Sequence, residues 1–130
     1  MKLTHLLLAG LVLVASGCTA PTTKDYSSFV ACLNEKPIKE YGAYWCPNCA
    51  RVRLSLGDAY TSFTNYHECD PKCVGNPLPD FCKGHPSETD ACLALGIDKY
   101  PTWTDVNNKI LYVGTDLVKV SEATGCEIPA

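Results

Sequence analysis

Two cysteines separated by two residues, Cys46-Pro47-Asn48-Cys49, carry the chemistry most readily named in this chain. That spacing lets two sulfurs close a tight ring or part as two thiols with little backbone movement. The nucleophile in such chemistry is a thiolate, so its surroundings decide its reactivity. The residues before the pair, Tyr41-Gly42-Ala43-Tyr44-Trp45, read as a short buried strand running into a turn. Those after it place Cys49, Val52, Leu56 and Ala59 at helical spacing. Cys46 therefore takes a cap position, and Pro47 sits at the first helical place, where a missing N–H costs nothing. A cysteine at a helix N-terminus meets unpaired backbone N–H groups and the positive end of the helix dipole, and both favour the anion. Cys49 lies one turn in, on the inward face. The pattern predicts that Cys46 attacks a partner disulfide and that Cys49 resolves the mixed disulfide. A structural disulfide is the bland alternative, but so short a loop stabilises little. A second alternative is a binding module for copper or zinc built on Cys46 and Cys49.

The rest of the chain must position that pair. Its 130 residues are room for one domain. Net charge is −3 with no basic face, which argues against a nucleic-acid partner. Nine cysteines in so short a chain point to an oxidising compartment, where disulfides supplement a small core. The N-terminus agrees with export. Lys2 is followed by an apolar run from Leu6 to Val14 and small residues at Ala15-Ser16-Gly17. This is a secretory signal, too short to span a membrane. Cys18 follows directly, and Ala15-Ser16-Gly17-Cys18 resembles a bacterial lipoprotein box, with Ala15 where Leu is commonest. On that reading residues 1–17 are removed, Cys18 receives lipid, and 18–25 form a tether that contains Pro21. The alternative is an ordinary signal peptide that leaves Cys18 unpaired. With Cys18 lipidated, eight cysteines remain, an even number that can all pair.

Along the domain, Asp25 is placed to cap a helix with Tyr26, Phe29, Val30 and Leu33 inward, stopped at Lys36-Pro37. Strands are expected over 38–45 and 63–68. Arg51 and Arg53 are expected to point away from the core, and His67 to be a surface residue. Residues 69–86 hold four prolines and two glycines and read as a long loop. Ser87 is expected to cap a helix over 88–95, with Asp90 in a capping-box-like place. Gly96-Ile97 is a helix stop. A hairpin follows, turning at Asn107-Asn108, with Trp103 and Tyr112 as its packing residues. A last helix starts at Gly114-Thr115 and ends near Thr124, just before Cys126. Cys69, Cys73 and Cys82 should hold the long loop together, although Cys69, Cys73, Cys82 and His85 also have plausible zinc-ligand spacing.

Trp45-Cys46-Pro47-Asn48-Cys49 with Tyr100-Pro101-Thr102 resembles the pattern of thioredoxin-fold proteins. Adding Tyr41-Gly42-Ala43-Tyr44, Glu68-Cys69-Asp70, Gly96-Ile97, Trp103 and Thr124-Gly125-Cys126, residues 26–126 are similar to the thioredoxin-like domain fused to, or working beside, bacterial vitamin K epoxide reductase homologues. The resemblance implies an α/β, thioredoxin-like fold: a central mixed sheet flanked by helices and stapled by disulfides. It implies a thiol–disulfide oxidoreductase that needs no cofactor and acts on exported protein thiols or on a membrane partner of the vitamin K epoxide reductase type. It implies that Pro101 is cis, beside the cysteine pair, where the residues alone leave a trans proline at a strand start open. Trp45, Pro47 and Tyr100 would then meet the substrate. It pairs Cys69 with Cys92, Cys73 with Cys82 and Cys32 with Cys126. It makes Glu40 a candidate for the buried acid that relays a proton from the second cysteine; a solvent-facing glutamate at a strand start is the alternative. Asn48 stands where relatives often carry a histidine that leans the pair towards oxidation, so the direction of electron flow stays open. The expected protein is a monomer in the bacterial cell envelope, lipid-anchored and facing the periplasm. The competing whole-chain reading is an inert disulfide-stapled lipoprotein that only borrows the fold.

Overall fold

The computed structural model describes residue 17 and residues 23–130. The signal segment up to residue 16 and Cys18 lie outside the described residues.

Four short strands form one mixed sheet in the order β2-β1-β3-β4. β1 (Lys39–Gly42) runs parallel to β2 (Tyr66–Glu68) and antiparallel to β3 (Thr102–Thr104), which pairs antiparallel with β4 (Ile110–Val113). Among the described residues four helices surround it: α1 (Ser27–Glu35), α2 (Pro47–Leu56), α3 (Thr89–Ala94) and α4 (Leu117–Thr124). A 3-10 turn over Gly57–Ser62 extends α2 after Gly57. This is a thioredoxin-like α/β architecture with disulfide staples. Among the described residues, no helix is long and apolar enough to cross a membrane.

Side-chain alternation divides the sheet into two faces. The register sets Glu40 beside both Tyr66 and Trp103, and Gly42 beside Glu68. These residues share the face covered by the main core, where Phe29, Val30 and Leu33 of α1, Val52 and Leu56 of α2, and Leu117 and Val120 of α4 pack with Trp103. Trp103 donates its indole N–H to Gly114 O at 3.1 Å, which satisfies its one polar atom. On the opposite face Tyr41 stacks on His67 at 4.7 Å, and the Cys69–Cys92 bridge and Ile97 close over Tyr41.

Three disulfides are present among the described residues: Cys32–Cys126, Cys69–Cys92 and Cys73–Cys82. These are the pairs that the resemblance implies. Cys69, Cys73 and Cys82 thus carry no free thiolate for the zinc set considered with His85. The His85 ring instead sits between Tyr44 and Tyr66, at 5.5 and 5.1 Å.

Several element ends differ from expectation for local reasons. β1 stops at Gly42 rather than Trp45, because Cys46 N donates to Ala43 O (2.9 Å) and turns the chain. β2 starts at Tyr66, because Phe63 N donates to Tyr60 O and closes the 3-10 turn. Asp25 and Ser87 lie one place before the caps, which are Tyr26 and Glu88. Each still receives a backbone N–H, Ser27 N at 2.9 Å and Thr89 N at 3.3 Å. α4 begins at Leu117 because the Asp116 carboxylate accepts from Val118 N and Lys119 N, a cap the sequence reading passed over. His67 is half-buried in β2, not a surface residue: its Nδ1 lies 2.8 Å from Glu88 Oε2. Gly96 adopts φ +68° and Ile97 N reaches back to Cys92 O, the left-handed helix stop expected there.

Candidate active site

Cys46 is the N-cap of α2 with extended backbone (φ −70°, ψ 123°), and Pro47 occupies the first turn. Cys46 and Cys49 are free thiols. Cys46 is 7 % exposed and Cys49 is fully buried. The Cys46 thiol donates towards Tyr100 O at 3.8 Å, and the Tyr100–Pro101 bond is cis. Ala43 and the Tyr100 side chain close around the pair. Trp45 is 62 % exposed and meets the Tyr100 ring edge-on at 6.3 Å. Cys46, Trp45, Tyr100 and Pro101 therefore come together, with Pro47 directly following. Only Cys46 of the pair approaches the surface, and it does so beside a backbone carbonyl of the cis-proline loop.

Cys49 faces the sheet. A Cβ on Gly42 would lie 2.8 Å from Cys49 Sγ and 3.2 Å from the Tyr66 ring. Glycine is thus required where β1 passes beneath the sulfur, and that close approach explains the Gly at the end of the strand. Burial raises the Cys49 thiol well above its ordinary range; a hydrogen bond at the Ala43 backbone offsets part of this, and Glu40 and Cys46 add to the rise.

Glu40 is fully buried, which settles its position against the solvent-facing alternative. Tyr60 donates to its Oε2 at 3.0 Å, while Oε1 has no partner among the described residues. Burial pushes Glu40 up to about 7, against the lowering effects of the Tyr60 hydrogen bond and the Arg53 charge. Arg53 does not point away as expected. It lies over the Tyr44 ring at 4.6 Å and donates from Nη2 to Tyr44 O at 3.2 Å. Glu40 thus lies near enough to the buried sulfur to raise its thiol, with the Tyr60 phenol bonded to the acid and the Arg53 charge acting on it.

The raised acid has a consequence for stability. Below pH 4.5, the ordinary value, Glu40 is neutral in both the folded and the unfolded states. Between 4.5 and about 7 the folded protein keeps a proton that the unfolded chain releases, so stability falls as pH rises through that window. At about 1.4 kcal/mol per pKa unit the loss is roughly 3 kcal/mol. Glu40→Gln keeps the acceptor for Tyr60 and should flatten this slope. Denaturant melts at pH 4.5 and 7.5 check it; an unchanged slope in the variant rules the assignment out.

Glu68 is a second buried carboxylate, which the sequence reading used only as part of a motif. It accepts from Tyr66 OH (3.0 Å), Tyr44 N (3.2 Å) and Asp70 N (2.9 Å). It therefore ties the turn before Cys46 to the start of the long loop. Burial, then the Glu68 charge and its hydrogen bond, push the Tyr66 phenol well up, so it stays a donor. The signal for Glu68 lay in strand alternation: an acid two places from Tyr66 falls on the core face, where a charge needs partners. Tyr60 carried no such signal, since its contact crosses from the 3-10 turn to β1. Among the described residues, no three metal-ligating side chains group together.

No family model matches the chain. A curated relative, "Thiol-disulfide oxidoreductase LTO1" of Arabidopsis thaliana, is 32% identical over 93 residues, which cover 72% of this chain. The same stretch is 22% of that relative, so the chain spans about a fifth of its length. Over most of its own length, then, this chain is similar to part of a protein named as a thiol–disulfide oxidoreductase.

Proposed function

We propose that this protein is a thiol–disulfide oxidoreductase of the cell envelope, with Cys46 and Cys49 as its redox pair. The observation that carries the reading is the contrast between cysteines. The other six described cysteines are bridged, while these two remain free at a helix start, one beside the Tyr100 carbonyl and one above Gly42 near a raised acid.

In the reducing direction the Cys46 thiolate attacks one sulfur of a target disulfide. The target's first thiolate leaves and takes a proton from solvent, and a mixed disulfide joins Cys46 to the target. Cys49 then gives its proton to Glu40 and attacks the Cys46 sulfur. The second target thiolate leaves and is protonated. Two electrons and two protons have passed to the target, and the protein holds a Cys46–Cys49 disulfide. The reverse sequence oxidises a target dithiol. Glu40 suits the relay because a group near 7 can both accept and return a proton at neutral pH. The Cys49 thiol, held neutral by burial, needs such an acceptor at the moment of attack.

The finer reading adds place and partner. Export rests on the apolar run from Leu6 to Val14, and lipid anchoring on Cys18 after Ala15-Ser16-Gly17. Exported protein thiols are the proposed substrates. The proposed partner that resets the pair is a membrane protein of the vitamin K epoxide reductase type. The test of the activity is paired: reduction of insulin by dithiothreitol and oxidation of a reduced unfolded protein, each with and without catalyst. Acceleration of either supports the reading, and acceleration of neither refutes it. Incorporation of labelled fatty acid, lost in Cys18→Ala, tests the anchor.

A further inference from the structure

Beside the reactive pair lies an apolar groove of about 490 Å³, lined by Trp45, Asp70, Pro71, Lys72 and Phe81. A larger hollow of about 660 Å³ exists, but it lies at the far end of α2, around residues 23–27 and 54–59, away from both thiols. The groove near Trp45 has three walls from separate stretches of chain, and each wall is fixed by a buried feature. Trp45 follows Tyr44, whose N–H is held by Glu68 Oε2. Asp70, Pro71 and Lys72 follow from Asp70 N, held by Oε1 of the same carboxylate. Phe81 precedes Cys82, which is buried and bridged to Cys73. One carboxylate thus clamps two walls and one disulfide clips the third. Trp45 and Phe81 nonetheless leave 62 % and 43 % of their surface to solvent. A protein of this size does not gain stability from holding large apolar side chains open in a rigid trough; such patches mark interaction sites.

The occupant follows from what the groove adjoins. Trp45 is one residue, about 3.8 Å of backbone, from Cys46. Its ring also meets Tyr100, the residue whose carbonyl faces the Cys46 sulfur. A polypeptide that brings a cysteine sulfur to Cys46 must lay its neighbouring residues across this trough. We infer that the groove is a specificity pocket for an apolar side chain flanking the target cysteine, so that the protein prefers polypeptide targets whose cysteine sits among Leu, Val or Phe. The inference rests on the oxidoreductase reading and adds to it the class of target. The exchange itself is the balanced step described above, with the reduced Cys46–Cys49 pair as the electron donor.

The experiment compares two short peptides, each carrying its cysteine as a mixed disulfide with a chromophoric aromatic thiol. In one the cysteine is flanked by Leu and Phe, in the other by Gly on both sides. The measured quantity is the ratio of their second-order rate constants in a single turnover with the reduced full-length protein. Burying an apolar side chain on this scale is worth about tenfold or more in that ratio. The wild type should favour the apolar peptide by about tenfold, Phe81→Leu should keep the preference, and Phe81→Ser should bring it near parity. Val74→Ser, on the same loop but lining a different hollow, should leave the ratio as in the wild type. Equal rates for both peptides in the wild type overturn the inference, as does a preference that survives Phe81→Ser undiminished. Exchange with neither peptide nor a small aromatic disulfide overturns the oxidoreductase reading and this inference with it.

Discussion

Cys46→Ser should lose thiol–disulfide exchange by about a thousandfold or more, since removing a nucleophile leaves only weak residual catalysis. Cys49→Ser should fail differently. With the outer thiol intact, the first exchange still occurs and the protein accumulates as a mixed disulfide with its target. The asymmetry follows from burial: Cys46 reaches the surface beside Tyr100 O, whereas Cys49 has no exposed area and a thiol raised well above its usual range. Mass analysis after mixing with a target disulfide reads both results. An adduct on Cys49→Ser and none on Cys46→Ser supports the division of roles. The opposite pattern would assign the attacking role to the inner sulfur.

The largest stability effect should come from removing Cys32–Cys126. This bridge spans 94 residues, almost the whole domain, and ties α1 to the end of α4. In the chain-entropy model a loop of that length is worth about 4.7 kcal/mol, against about 2.6 kcal/mol for the nine-residue separation of Cys73–Cys82. A domain this small has a total stability of roughly 5–15 kcal/mol, so the loss is a large fraction of it. Alanine is the right replacement, because Cys126 is fully buried within the main core and a serine hydroxyl there would lack a partner. The double variant should melt about 20 °C lower or more. A fall of only a few degrees would mean that the unfolded chain is already compact, or that the core of α1, α2 and α4 carries the domain without the clip.

Much of the site was legible in the residues, and for identifiable reasons. Pro47 after Cys46 is a local signal, because a proline at the first helical place acts through its own missing N–H. The stop at Gly96-Ile97 is equally local, a matter of one left-handed residue and one apolar closure. The cis bond before Pro101 was different. Composition and spacing favoured a trans proline at a strand start, and only the likeness of Tyr100-Pro101-Thr102 to a known pattern implied the cis form. What escaped was set by register between strands distant in sequence. Gly42 and Tyr66 come together at the Cys49 sulfur, with Glu40 and Glu68 on the same face, because β1 and β2 pair with Glu40 beside Tyr66 and Gly42 beside Glu68. A shift of β2 by one residue would turn Tyr66 and Glu68 to the other face, away from Glu40 and Gly42. Arg53 escaped for a related reason. Its long stem lets it leave the helix surface and lie over Tyr44, which periodicity along α2 does not reveal. The groove walls at Asp70–Lys72 and Phe81 sat in a stretch legible only as a loop, and it is Glu68 and the Cys73–Cys82 bridge that fix its shape.

The central claim is that Cys46 and Cys49 interconvert reversibly between two thiols and one disulfide while the other bridges stay closed. Equilibrating the protein across a series of reduced and oxidised glutathione mixtures, followed by alkylation and mass analysis, tests it directly. The account predicts a single two-electron transition confined to the peptide that carries Cys46 and Cys49, at a potential within the range of known redox-active pairs, about −270 to −120 mV. The three bridged pairs should remain unlabelled throughout. A Cys46–Cys49 pair that never changes state across the series would contradict the account, as would a transition in which Cys32–Cys126, Cys69–Cys92 or Cys73–Cys82 opens first.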